Sequence, residues 1–266
     1  MSRPSGRGGW RRRDALAAAL LALAWPLARA EDLPGLIARV KSSVLLVGSY
    51  GVLDSPRFGF RGTGFVVADG RHALTNAHVL PSEQTPAGRV ERSVVVQAFG
   101  SDGQWRMREA SVVAVDNIHD IALLRFEGPP LTPLPLRQDK TAAPEGTPIA
   151  LMGFPLGGAL GFSHVTHAGI VSAVTSVALP AANSQALNAR AVAQLRQGSF
   201  EVLQLDATAY PGNSGGPVFD LATGQVIGVV SMVVIKGTKE SALSMPSGIS
   251  YAIPILQALP MLPPGP

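Results

Sequence analysis

The sequence predicts an all-β protein with two β-barrels or β-sandwiches in succession. Three observations support this prediction: many short apolar runs, turn residues between them, and a proline-rich stretch that divides the runs into two sets. The chain has 266 residues, of which 46% are hydrophobic, so it can bury a sizeable core. We therefore expect two compact β units, each built from short strands.

The first thirty residues predict a secretory signal that is cleaved after Ala30. Arginines 3, 7 and 11–13 form a basic head, which precedes an apolar run over residues 15–27. Ala28 and Ala30 then supply the small side chains that a signal peptidase reads. The apolar run is too short to span a bilayer. We expect an exported protein, periplasmic or secreted, with no stable membrane anchor after cleavage.

Composition excludes several function classes. The full chain has a net charge of +4, but six of its 22 Lys and Arg residues and one of its 18 Asp and Glu residues precede residue 31, which leaves −1 for the mature chain. A balance of this kind gives no basis for a nucleic-acid partner. The chain has no cysteine, which excludes a thiol nucleophile and thiolate metal sites and favours a bacterial envelope protein.

The first β unit is predicted over residues 31–127. A short helix over residues 33–40 should dock the mature N-terminus, and a Gly- and Arg-rich loop is expected over residues 51–62. Asp69-Gly70 predicts a hairpin turn. The predicted strands of this unit are residues 43–49, 62–67, 72–76, 93–98, 110–115 and 121–126.

Prolines at positions 129, 130, 133 and 135 predict a linker over residues 128–147, because proline cannot pair in the centre of a sheet. The second β unit is predicted over residues 148–266, with a short terminal helix. Its predicted strands are residues 148–152, 164–174, 200–205, 217–219, 226–234 and 249–253. An insertion over residues 176–199, with a helix at 184–197, interrupts this pattern, and whether it covers a cleft is left open.

Residues 210–217, Tyr-Pro-Gly-Asn-Ser-Gly-Gly-Pro, contain the candidate nucleophile. Ser214 is flanked by glycines directly after an apolar strand, so the loop can turn sharply and aim backbone N–H groups at one point. An acyl-transfer nucleophile needs these features. The alternative interpretation of this stretch alone is a hairpin turn, because Asn, Ser and Gly are common turn residues.

A serine nucleophile needs a base, and the base needs a carboxylate to orient it. His78 lies at the end of a predicted strand, where the chain must turn, whereas His72, His119, His164 and His167 are interpreted as surface or packing residues. Asp120 directly precedes an apolar strand, at the edge of a core. Asp116 is the competing candidate, although a surface turn is the preferred interpretation of it.

The order His78, Asp120, Ser214 matches that of a chymotrypsin-like triad. The chain resembles trypsin-like serine peptidases, most closely the protease domain of the bacterial HtrA/Do type. The resemblance is carried by residues 62–80 (Gly-Thr-Gly-Phe to Leu-Thr-Asn-Ala-His-Val-Leu), 120–124 and 206–217, and the ending at 248–254 also matches.

This resemblance implies two six-stranded antiparallel β-barrels with an active site in the cleft between them. His78, Asp120 and Ser214 would form the triad, and the N–H groups of Gly212 and Ser214 would form the oxyanion hole. The specificity pocket would be formed by Thr208, Ser231, Met232 and Val233. Polypeptide substrates are implied, whereas no metal or organic cofactor is.

The chain ends twelve residues after the last matching block, so we expect no PDZ domain of the kind that follows the protease domain in the usual HtrA architecture. The bulk of Met232 and Val233, and the lack of a carboxylate at Thr208, predict cleavage after small or medium aliphatic residues.

Two alternatives come from other classes: a catalytically silent peptide-binding protein on the same fold, and a lipase or esterase. The lipase is disfavoured by the chain order of the three residues and by the lack of a βα pattern. The oligomeric state and the physiological substrate are left open.

Overall fold

The computed structural model describes residues 32–81, 92–177, 200–231 and 248–264. Within them the chain forms two closed antiparallel β-barrels of six strands each, which confirms the predicted fold class. The first barrel consists of β1 (Val44–Tyr50), β2 (Phe58–Val67), β3 (His72–Thr75), β4 (Ser93–Phe99), β5 (Trp105–Asp116) and β6 (Ile121–Phe126). The second consists of β7 (Pro148–Gly153), β8 (Val165–Val177), β9 (Phe200–Asp206), β10 (Pro217–Asp220), β11 (Val226–Val230) and β12 (Ile249–Pro254).

The two barrels share one topology. In the first, neighbouring strands follow the order β1-β2-β3-β6-β5-β4, and the second repeats this order as β7-β8-β9-β12-β11-β10. Closure pairs the outer strands of each sheet with one another, which removes exposed sheet edges. Two copies of one topology therefore arise without any repeat in the sequence.

Strand β1 shows how alternation divides the core. All but the last of its residues are buried, so neither face is exposed to solvent. Leu45 and Val47 pack in a cluster confined to the first barrel, whereas Val44 and Leu46 pack in a cluster that also contains residues of the second barrel. Because successive side chains point to opposite faces, one strand contributes to both clusters. Strand β1 thereby joins the two barrels through apolar contacts.

Helix α1 (Leu33–Val40) docks the start of the described chain. The Asp32 carboxylate accepts a hydrogen bond from Gly35 N–H at 3.1 Å, and a proline in the first turn suits a position that has no intrahelical acceptor. Leu36 and Val40 are buried in the cluster shared by both barrels. The helix predicted over residues 33–40 is therefore present.

The segment between the barrels contacts both of them. Leu134 N–H donates to the Val66 carbonyl of the first barrel, and the Pro135 carbonyl accepts from Val226 N–H of the second. Leu134 and Leu136 are buried. The proline-rich segment is thus packed along its middle, and the domain boundaries at 127/128 and 147/148 stay a prediction.

Two strands begin earlier than predicted. Strand β2 starts at Phe58, inside the stretch predicted as loop over residues 51–62, because Phe58 and Phe60 pair with the end of β1. Strand β5 starts at Trp105 because it pairs with β4 as far as Phe99. Both errors concern charged or glycine-rich residues whose strand conformation depends on a partner strand.

At the C-terminus, the predicted helix is present only as the 3₁₀ turns Ile255–Gln257 and Leu259–Met261. The predicted signal and the predicted helix at 184–197 lie outside the described residues. Within the described part of the chain, no helix has the length and apolarity needed to cross a membrane.

Candidate active site

The loop around Ser214 is shaped by two tight turns. Asn213 N–H donates to the Tyr210 carbonyl, and Gly216 N–H donates to the Asn213 carbonyl, both at 2.9 Å. Gly212 has φ 106° and Gly215 has φ 85°, a region that L-residues with a side chain rarely adopt. The glycines on both sides of Ser214 are therefore required by the backbone conformation.

The same two glycines also allow close contacts. A Cβ atom at Gly212 would overlap the Phe154 carbonyl oxygen, and one at Gly215 would overlap the carbonyl oxygen of Thr63. The loop is thus packed directly against the main chain of β2 and of the residues after β7. This close packing leaves the Ser214 side chain in a crowded setting, with only 5% of the residue exposed.

Thr63 of β2 holds the loop from the first barrel. Its N–H donates to the Ser214 carbonyl at 2.8 Å, and its hydroxyl donates to the Gly212 carbonyl at 2.7 Å. The Thr75 hydroxyl of β3 donates in turn to the Thr63 carbonyl at 2.7 Å. Sequence reasoning did not assign this role to Thr63, although its position between two glycines in 62–64 signals a close approach.

The N–H groups of this loop divide into two sets. Those of Asn213, Gly215 and Gly216 donate to main-chain carbonyls, whereas those of Gly212 and Ser214 have no acceptor among the described residues. The Pro211 carbonyl accepts a hydrogen bond from Leu156 N–H at 2.7 Å. Because the C=O and N–H of a trans peptide point in opposite directions, Gly212 N–H points away from Leu156. Two N–H groups of this loop are therefore left without an acceptor among the described residues.

His78 lies in the 3₁₀ turn Ala77–Val79 that follows β3. Its Nδ1 lies 2.8 Å from Asp120 Oδ2, and its N–H donates to Asp120 Oδ1 at 3.1 Å. A carboxylate accepts only, so Nδ1 carries the proton and Nε2 of the neutral ring has a free lone pair. This is the tautomer that a general base needs.

Asp120 is held from three directions. The residue is 2% exposed, and Ser231 from the second barrel donates its hydroxyl proton to Asp120 Oδ2 at 3.0 Å. The Asp120 carbonyl accepts from Asn76 Nδ2 at 2.9 Å and from Ala77 N–H at 3.1 Å. Its φ of 58° is unusual for a residue with a side chain, and these bonds hold it there.

Asp116, the competitor of Asp120, binds a different histidine. Its Oδ2 lies 2.6 Å from His119 Nδ1, and its Oδ1 accepts from the N–H groups of Ile118 and His119. Burial raises the pKa of Asp116, but the hydrogen bonds from His119 outweigh it, so the pKa lies below its usual value. Asp116 thus stabilises a turn, in agreement with the preferred interpretation.

His164 is half-buried among aromatic rings. Its ring stacks on Trp105 at 5.3 Å and contacts Phe154 and Phe99. Its Nε2 lies 3.1 Å from the Val44 carbonyl, and burial lowers the pKa of His164 from 6.5 to about 4. His164 is therefore a packing residue. No group of three metal-ligating side chains occurs within residues 32–81, 92–177, 200–231 and 248–264.

Half of the predicted specificity pocket can be described. Thr208 is half-buried, and the Ser250 hydroxyl links the carbonyl of Ala207 to the N–H of Ala209 on either side of it. Ser231 is fully buried and directs its hydroxyl to Asp120. Met232 and Val233 lie outside the described residues. The pocket assignment stays a prediction.

The trypsin-like peptidase domain family matches residues 62–229. Over 194 residues, 73% of this chain, the chain is 33% identical to "Serine protease HTRA2, mitochondrial" of Drosophila grimshawi and 30% identical to "Probable periplasmic serine endoprotease DegP-like" of Halomonas elongata. The match covers 36% of the first relative and 32% of the second. The chain thus corresponds to about a third of the length of the curated relatives it matches.

Solved structures support the same fold. The crystal structure of Deg5 superposes with a TM-score of 0.59 and 24% identity, covering 85% of this chain and 89% of that one. The serine endoprotease from Yersinia pestis gives a TM-score of 0.55 and 24% identity, covering 84% of this chain and 62% of the other. With the family match over residues 62–229, these likenesses lead to one conclusion: the chain belongs to the trypsin-like peptidase domain family and is a homologue of the HtrA and DegP serine proteases.

Proposed function

We propose that the protein is a serine endopeptidase that hydrolyses polypeptides through a triad of His78, Asp120 and Ser214. The observation that carries the proposal is the bond between His78 Nδ1 and the buried carboxylate of Asp120 at 2.8 Å. That bond leaves His78 Nε2 as a base on a ring whose orientation is fixed. The reaction also needs a site for the oxyanion. The turn around Ser214 offers two N–H groups that have no acceptor among the described residues.

In the proposed reaction, Ser214 Oγ attacks the carbonyl carbon of the scissile peptide bond while His78 Nε2 takes its proton. The N–H groups of Gly212 and Ser214 stabilise the oxyanion that forms. The C–N bond then breaks, and His78 gives the proton to the leaving amine. Water, activated by His78, hydrolyses the acyl-enzyme. Asp120 orients His78 and stabilises the imidazolium throughout.

Among the described residues, the Ser214 hydroxyl makes no hydrogen bond, and none joins it to His78. In enzymes without substrate, hydrogen bonds between nucleophile and base are often long and tighten only when substrate binds. The proposal therefore places this contact in the complex with substrate.

We propose further that cleavage follows small or medium aliphatic residues. Thr208 supplies no carboxylate for a Lys or Arg side chain, and an unpaired buried charge costs several kcal/mol. Discrimination among aliphatic residues should be shallow, because one methylene is worth about 1–3 kcal/mol. A peptide-library cleavage profile tests this: a dominant Arg, Lys, Phe or Tyr before the cut would contradict it.

We propose that the protein is exported and acts outside the cytoplasm. Residues 1–30 have the composition of a secretory signal, and a relative of 30% identity is named as periplasmic. Other relatives of similar identity are named as mitochondrial. Export of this chain therefore needs an experiment of its own. Residues 1–35 fused to a reporter that is active only after export should give signal in a bacterial host, and deletion of residues 15–27 should abolish it.

The main experiment compares the wild type with Ser214→Ala. The wild type should react with a fluorophosphonate probe and cleave casein, whereas a lipase or esterase would hydrolyse ester substrates but leave casein intact. Ser214→Ala should lose the label and retain only about 10³–10⁴-fold catalysis over water. A folded wild type that binds peptides but neither labels nor cleaves would show a silent binding protein, and wild-type turnover in Ser214→Ala would contradict the triad.

A further inference from the structure

A pocket of about 280 Å³ opens beside β2. Its charged lining residues are Arg61, Arg92 and Asp54, and Phe60 forms part of its wall. Phe60 also lies against the Ser214 loop. A Cβ atom added at Gly212 would be 3.2 Å from the Phe60 ring. None of these four residues belongs to the proposed triad or the proposed specificity pocket.

Arg61 ties this pocket to the turn that carries His78. Its Nε donates to the Val79 carbonyl at 2.6 Å and its Nη2 to the Leu80 carbonyl at 2.9 Å. These are the two carbonyls that directly follow His78 in the chain. In the proposed reaction, His78 protonates the leaving amine. The pocket therefore adjoins the turn whose histidine would deliver this proton.

The pocket has a net positive charge among its described residues. Arg92 is bound to Asp54 by two hydrogen bonds, at 2.7 and 3.1 Å, so these two charges balance. Among the described residues, Arg61 is bound only to neutral carbonyls, and its Nη1 donates to none of them. Burial and the nearby charge of Arg92 both lower the pKa of Arg61, and none of the described carboxylates counteracts them.

We infer that this pocket binds an acidic side chain at one of the first two substrate positions after the scissile bond. The inference rests on the proposed peptidase function and adds a specificity determinant to it. Arg61 is oriented before substrate binds, because both of its carbonyl contacts are main-chain atoms. A guanidinium held in this way loses little side-chain entropy on pairing with a carboxylate, and the fork geometry suits Asp or Glu.

The expected effect is moderate because the pocket is open to solvent. The side chains of Arg92 and Asp54 are 47% and 34% exposed, so water and salt screen their charges. We expect kcat/KM for peptides with Glu at the preferred position to exceed that for Gln by about three- to tenfold at low salt. The ratio should fall towards one at an ionic strength of about 1 M.

The experiment uses the full chain and quenched fluorescent peptides that differ only at the first two positions after the cut, with Glu, Gln or Lys. Two variants change the pocket charge without removing Arg61. Asp54→Asn should raise the Glu/Gln ratio, because it removes the competing carboxylate. Arg92→Gln should lower the Glu/Gln ratio to about one, because Asp54 then neutralises the charge of Arg61.

Arg106→Gln is the matched control. Arg106 also forms an ion pair with an aspartate, Asp102, on the β4–β5 hairpin, and neither residue lines the pocket. The substitution changes the net charge of the protein by the same amount as Arg92→Gln, and it should keep the wild-type ratio. Equal ratios in Arg92→Gln and Arg106→Gln would overturn the inference, as would a wild type that cleaves peptides with Glu and Gln equally well. A chain that cleaves no peptide at all would contradict the proposed function itself.

Discussion

Two histidine–aspartate pairs in this protein have the same hydrogen-bond pattern but different surroundings. In each, one carboxylate oxygen contacts Nδ1 of the ring and the other accepts from the histidine N–H. The pair His119–Asp116 lies within one turn, three residues apart, whereas His78 and Asp120 are 42 residues apart. His119 and Asp120 are neighbours in the chain, yet they belong to different pairs.

The two pairs differ in the burial of the aspartate and in its contact with the second barrel. The Asp116 side chain is 26% exposed, whereas that of Asp120 is 4% exposed. Only Asp120 also accepts the hydroxyl of Ser231, from the barrel that carries Ser214. The His119–Asp116 pair stabilises its own turn, whereas the His78–Asp120 pair of the first barrel is also held by Ser231 of the second barrel. The hydrogen-bond pattern alone therefore does not distinguish the two pairs.

The largest expected effect tests this comparison directly. Asp120→Asn should lower kcat by about 10⁴, because the amide favours the wrong tautomer of His78. Asp116→Asn is the matched control and should change kcat by less than about twofold, since an amide oxygen still accepts the N–H groups of its turn. Steady-state kinetics on folded variants measures both. Reversed effects would assign the triad carboxylate to Asp116.

The second prediction concerns His164, which pairs with no carboxylate among the described residues. Burial lowers the pKa of His164 to about 4 in the folded protein, below the ordinary 6.5 of the unfolded chain. Between these pH values the unfolded chain binds more protons, so stability is fully present above pH 6.5 and is lost as the pH falls towards 4. The loss should reach about 3 kcal/mol.

Urea unfolding at several pH values measures this loss, and two variants isolate it. His164→Phe and His164→Gln should both flatten the pH dependence relative to the wild type, and the glutamine keeps a donor for the Val44 carbonyl. If either folded variant retained the full wild-type slope between pH 4 and 6.5, the pH dependence would not arise from His164.

The smallest expected effect concerns the bond that distinguishes Asp120 from Asp116. Ser231→Ala should lower kcat about tenfold, because a hydrogen bond to a charged group is worth about 1.5–3 kcal/mol and the two bonds from His78 remain. Ser231→Thr keeps the hydroxyl and should restore most of the rate. Ser172→Ala, which removes a hydroxyl bonded to the Gln204 carbonyl, is the control. A change in KM with an unaltered kcat would instead assign Ser231 to substrate binding.

Much of this protein could be predicted from local patterns. Alternation and turn residues identified all twelve strands, because the side-chain period of a strand and the chemistry of a turn are local properties. The glycines around Ser214, the position of His78 and the acid before β6 were also visible as short motifs. The strand starts at Phe58 and Trp105 were missed, since each depends on pairing with another strand.

Only the tertiary structure decided how the site is assembled. Ser231 and Asp120 are 111 residues apart, and the Leu156 N–H that orients the peptide bond before Gly212 belongs to a loop after β7. In the sequence, Arg61 is one charge in a predicted loop. Its contacts with the carbonyls of Val79 and Leu80 are visible only in the structure. Periodicity specifies which face of a strand is buried, but not which distant residue it meets. That depends on how two closed barrels pack, because the packing brings donors and acceptors from separate segments within 3 Å of one another.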